Sequence, residues 1–170
     1  MDSVVAMEWY GSEQTRRVAE LPKPETLMLL AMRWWVRCYA TGEDPIPRLT
    51  EALGRAGARD AGHSIDGLMG IVARTGLRPV DIRCPRCPEL SDDEAVLLHA
   101  GLLAQTERAD LAERLLRLHL LSQGGAEFAI GPLEGMGFLF LEAGLMFGRR
   151  RRQGGQAAWV MPADCSRAVH

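Results

Sequence analysis

The side chains best suited to chemistry in this 170-residue chain are its four cysteines and four histidines, and only Cys84 and Cys87 lie close together in a constrained setting. Cys84-Pro85-Arg86-Cys87 spaces two thiols so that they can share one metal ion or close a small-ring disulfide. A closed tetrahedral zinc site needs two further ligands, and the sequence has no second cysteine pair. Helix geometry nominates a third. If two antiparallel helices turn near Thr106, Ser91 lies 15 residues before the turn, about 22 Å along the axis. His119 lies 13 residues after it, about 20 Å along the axis and so level with the cysteine loop. His99 is only 7 residues from the turn and falls about 12 Å short. Cys84, Cys87 and His119 are therefore the candidate metal ligands, with zinc as the metal and Cys38, Glu89 or a symmetry mate as the open fourth position. A thiol-redox role and an inert turn with free thiols stay open beside it. A thioredoxin-like site would need a βαβ context that the sequence lacks.

Other constellations carry less. Gly62-His63-Ser64-Ile65-Asp66-Gly67 gathers His, Ser and Asp as neighbours, whereas a catalytic triad is assembled in space. It reads as a helix start. Glu134 and Glu142 are eight residues apart, about 80° and 12 Å on a helix, and read as solvated edges. Gly135-Met136-Gly137 lacks the third glycine of a dinucleotide fingerprint. The adjacent indoles of Trp34 and Trp35 could line a pocket for a planar ligand, although core packing accounts for them as well. No catalytic motif emerges, and the expectation leans away from an enzyme.

These residues must be positioned by helices. Leu27, Leu30, Ala31, Trp34, Trp35, Cys38 and Tyr39 follow the helical spacing of 3, 4, 7 and 8, with Arg33 and Arg37 off the stripe. Asp44-Pro45 starts a second helix, with Ile46, Leu49, Leu53 and Ala56 inward. Ile65, Leu68, Met69, Val72 and Ala73 mark a third. Pro79, Pro85 and Pro88 forbid a helix over residues 77–90. Ser91-Asp92-Asp93-Glu94 is a capping box that opens a fourth helix. A fifth carries Leu111, Ala112, Leu115, Leu118 and His119 on its inner stripe and ends at Gly124-Gly125. A sixth starts by Pro132 or a turn earlier and is apolar nearly all round, so it is expected either at the centre of the core or in a subunit interface. Phe138, Leu139, Leu145 and Met146 are the candidate interface residues. Gly131 with Gly135, and Gly144 with Gly148, permit close approach of another helix, within the chain or across subunits.

The predicted fold is all-α, a compact bundle of about six helices with one irregular loop containing proline and cysteine. Residues 1–22 read as an N-terminal arm, 23–148 as the helical domain and 149–170 as a basic, weakly ordered tail. Composition agrees with one globular domain: 47% hydrophobic, 25% charged and a net charge of −2, which gives no general attraction to nucleic acid or anionic membrane. Residues 128–148 resemble a membrane span flanked by Arg149, Arg150, Arg151 and Arg152, but Glu134 and Glu142 each cost about 2.5–3.5 kcal/mol there. A buried helix is expected. Four arginines without interleaved aromatics are no specific nucleic-acid signal. Lys23 is the only lysine among 20 basic residues and asparagine is absent, a codon bias of a GC-rich, bacterial genome. Met1 to Tyr10 lack signal-peptide character, and the sparse cysteines suit a reducing cytoplasm. The functional expectation is a protein-interaction or regulatory module, with a homodimer through helix six as one form. A metal- or redox-responsive domain centred on Cys84 and Cys87 is the first alternative, and a small-ligand binder or enzyme the second.

Overall fold

The computed structural model describes residues 17–148. Six helices follow a short 3-10 turn at Val18–Glu20: α1 (Lys23–Thr41), α2 (Ile46–Gly54), α3 (Ala61–Thr75), α4 (Asp92–Gln105), α5 (Ala109–His119) and α6 (Gln123–Glu142). Among the described residues there is no strand, only isolated bridges joining Arg17 to Glu89 and Gly76 to Leu121. The all-α bundle expected from the sequence is the observed architecture. The predicted basic tail, and the arm up to residue 16, lie outside the described residues. Residues 17–22 are attached to the body: Leu21 is buried, and the Val18 amide donates to the Pro88 carbonyl at 2.9 Å.

Helix ends follow local chemistry. Gly42, at φ +72°, closes α1 in the left-handed conformation that glycine adopts without a Cβ penalty. The Asp44 carboxylate accepts from the Ile46 amide at the start of α2. Ser91 and Glu94 form the full capping box of α4. α6 begins nine residues before Pro132, because Ser122 accepts from the Gly125 amide and starts the helix there. Gly125 thus sits inside α6 and does not terminate α5. A Cβ at this position would collide with Thr75 at the end of α3, so a glycine is what lets the two helices meet.

α4, rather than α6, is the central helix. Its residues from Asp93 to Gly101 are all buried, as are Leu103 and Ala104. Ten consecutive residues, Ala95 to Ala104, carry no formal charge other than what His99 can take up, so all sides of the helix suit the interior. α1, α5 and α6 pack around it. At Gly101 a Cβ would stand 3.0 Å from Met28 Sδ and 3.3 Å from Met136 Cε, which marks the crossing of α1, α4 and α6. After α6 the chain turns at Gly144, φ +73°, and folds back. Gln105 of α4 fastens that return: its Nε2 donates to the carbonyls of Gly137 and Leu145, and its Oε1 accepts from the Phe147 amide at 2.8 Å. No helix among the described residues is long and apolar enough to cross a membrane.

Candidate functional site

The irregular segment 76–91 connects α3 to α4 and carries both loop cysteines. Three prolines deny it helix or sheet, so its backbone polar groups need other partners. A buried ion pair supplies many of them. Arg33 of α1 and Glu94 of α4 have side chains with no solvent exposure and meet in a forked contact, Nε to Oε1 at 2.7 Å and Nη2 to Oε2 at 2.9 Å. Arg33 Nη1 also donates to the Cys87 carbonyl and Nη2 to the Glu89 carbonyl, both at 2.7 Å. Glu94 accepts from the Arg83 amide at 3.0 Å and the Ser91 amide at 2.9 Å. The guanidinium thus commits four donor contacts, and the carboxylate four acceptor contacts, in one network. Ser91 Oγ completes it by donating to the Asp81 carbonyl at 2.5 Å.

A second, outer pair braces the same loop. Arg78 reaches both oxygens of Asp93 at 2.7 Å, and Asp93 Oδ2 accepts from the Asp81 amide at 2.8 Å. The hydrogen bond from Arg78 holds the Asp93 carboxyl below the usual carboxylate range, against the opposing effect of partial burial. These residues, with Arg83, Leu90 and Asp92, line a shallow polar cleft. Asp93 is engaged by Arg78 and by backbone, which makes it a brace more than a reactive group.

The thiols stand on this braced frame. The Cys87 amide donates to the Cys84 carbonyl at 3.0 Å, closing a four-residue turn with Pro85 and Arg86 at its corners. Cys84 is exposed and Cys87 half-buried. Arg83 Nη1 lies 3.9 Å from Cys87 Sγ and 3.2 Å from Glu89 Oε2. Cys38 is buried in α1, and burial pushes its thiol pKa up.

His119 does not join the cysteines. Among the described residues no three or more His, Cys, Asp and Glu side chains are grouped to hold a metal ion. The α4–α5 hairpin forms as the spacing implied, but its axial levels do not fix direction. The beginning of the loop lies at the end of α5, where the Leu77 amide donates to the Leu120 carbonyl. The cysteines lie further on, where Arg33 ties the loop to α1. His119 itself is exposed, as is Leu118, and the buried side of α5 is Ala112, Leu115 and Leu116. His99 is buried, and burial lowers its imidazole pKa.

The two indoles have separate roles. Trp35 is buried, stacks on Tyr39 and donates from Nε1 to Asp66 at 2.7 Å. Trp34 is half-buried with the Arg48 guanidinium 4.3 Å above its ring centre. Glu134 and Glu142 are both exposed on α6. Of the candidate interface residues, Phe138 and Met146 are exposed and Leu139 is partly buried against the core. Leu145 is a core residue, drawn in by the turn at Gly144 that brings its amide to the Phe140 carbonyl.

Helical spacing does not identify Arg33 as a buried residue that anchors the loop. Its type argued for solvent, and only the position of Glu94 in a capping box hinted at a waiting carboxylate. Phe128 was missed because α6 was expected to start later. No family model, curated protein or solved structure matches the chain.

Proposed function

We propose that this chain is a helical interaction module that associates with a second copy of itself through α6. The observation that carries the reading is the solvent face of that helix. Phe128 and Phe138 are 74% and 61% exposed, and the exposed Gly131 lies between them; Gly135, also between them, is half-buried, with Ser64 Oγ of α3 3.2 Å from where its Cβ would stand. All four positions fall within about 80° on the helix. A Cβ at Gly131 would meet nothing within 4 Å, so no packing inside the chain calls for a glycine there. In a helix interior that glycine costs about 1 kcal/mol relative to alanine.

The stripe reads alike in both directions. Phe128 and Gly131 mirror Phe138 and Gly135 about residue 133. An isologous antiparallel contact would set Phe128 of each copy against Phe138 of the other and let the partner helix approach closely at Gly131. The exposed parts of four phenylalanines, about 90–190 Å² each, supply roughly a third of the 1,200–2,000 Å² of a standard interface. Leu139 and Leu141 extend the same surface.

Sedimentation of Phe128→Ser and Phe138→Ser variants tests the reading. Each is expected to shift the chain toward monomer while Leu118→Ser, an exposed leucine on α5, leaves its association unchanged. Equal behaviour of all three variants would remove α6 as the contact.

A further inference from the structure

The turn that carries Cys84 and Cys87 is independent of the α6 face, and its construction points to sulfur chemistry. The hydrogen bond from Cys87 to Cys84 defines a β-turn, which brings the two Cα atoms within about 7 Å. A disulfide needs about 4.4–6.8 Å. Arg33 holds the Cys87 carbonyl from the protein interior, so the backbone at one thiol is fixed while both side chains keep access to solvent. Arg83 Nη1 lies 3.9 Å from Cys87 Sγ, so a positive charge stands beside the sulfur during exchange and opposes a second cation there. No third His, Cys, Asp or Glu among the described residues joins them as a metal-binding group.

We propose that Cys84 and Cys87 form a reversible dithiol–disulfide pair that exchanges with low-molecular-weight disulfides. Cys87, as the thiolate, attacks one sulfur of the small disulfide. A mixed disulfide forms and one small thiolate leaves. Cys84 then loses its proton to solvent and attacks Cys87 Sγ. The Cys84–Cys87 bond forms and the second small thiolate is released. Two electrons pass from the protein to the small disulfide, and the protons given up by the cysteines end on the two small thiols or in solvent.

The sequence provides a clean readout, because Arg86 lies between the cysteines. The reduced full-length chain is incubated with oxidised glutathione, alkylated and digested with trypsin without reductant. The expected product is peptide 84–86 joined to peptide 87–108, and dithiothreitol separates them. In a Cys84→Ser variant the exchange stops after the first step and leaves one glutathione on Cys87. Arg83→Ala in that variant slows adduct formation, and Arg83→Lys restores it. Separate, fully alkylated peptides from the wild-type chain would overturn the proposal. So would linkage of either cysteine to Cys165, or a glutathione adduct that persists on the wild-type protein. An unchanged adduct rate in Arg83→Ala would overturn the assignment of Cys87 as the attacking thiol.

Discussion

Arg33 and Glu94 form the polar centre of the molecule, and their worth lies mainly in the backbone they satisfy. An isolated buried ion pair can often be exchanged for apolar residues without loss. Here the exchange would also strip partners from the Cys87 and Glu89 carbonyls and from the Arg83 and Ser91 amides. Arg33→Ala is expected to cost about 3–5 kcal/mol, as for other broken buried pairs. The double change Arg33→Met with Glu94→Leu is expected to remain less stable than the wild type. Urea unfolding monitored by circular dichroism would measure both, and a double variant as stable as the wild type would show that the loop does not depend on the pair. The sequence revealed half of this arrangement. Ser91 and Glu94 announce a capping box by spacing alone, and the box is present. Arg33 could not be read, because its partner lies 61 residues away and only tertiary packing brings them together.

The helices show the same division between local and distant causes. Prolines, caps and Gly42 act within a few residues, so the elements and the irregular loop were legible. Which side of each helix faces inward depends on neighbours. On α1 the buried side includes Met28, Leu29, Met32 and Arg33, while the expected inner residue Tyr39 is exposed. On α5 the buried side turns from Leu118 and His119 toward Leu116, and with that turn the candidate ligand leaves the cysteines. α6 was read as starting too late, because Gly124-Gly125 resembles a stop signal when Thr75 is not in view. An exposed-side and a buried-side glycine of α6 can be separated by substitution. Gly131→Ala adds a methyl group to open space and is expected to raise the stability of the monomer by about 0.5–1 kcal/mol. The same change is expected to weaken self-association. Gly125→Ala meets Thr75 and is expected to lower the melting temperature. Thermal unfolding of both variants at low protein concentration checks the contrast, and a stabilised Gly125→Ala would show that α3 and α6 are not in close contact there.

At the scale of the whole molecule, acid acts through two of the described groups in the same direction. Burial keeps His99 neutral in the fold and depresses its pKa. As pH falls below about 6.5 the unfolded chain takes up a proton that the fold resists, so stability declines toward the lower folded value. Asp93 is depressed by Arg78, and its contribution is present above about pH 4 and lost as pH falls through its folded pKa. The urea midpoint is expected to be highest near neutrality and to fall in two stages in acid. His99→Gln should flatten the first stage, and Arg78→Ala the second. A midpoint that rises on acidification would contradict both assignments.

The proposed association would tie the exposed α6 face to a role for the molecule. Its acidic edge sets a salt dependence, because antiparallel pairing would bring Glu134 of one copy beside Glu134 of the other. Salt screens that repulsion while leaving apolar contact in place, so association should strengthen with ionic strength. The most direct measurement is the light-scattering mass of the full-length chain over a range of concentration reaching tens of micromolar. Self-association through α6 requires the mass to rise from that of one 18.7 kDa chain toward that of two. A mass that stays at one chain throughout, at low and high salt alike, would contradict it.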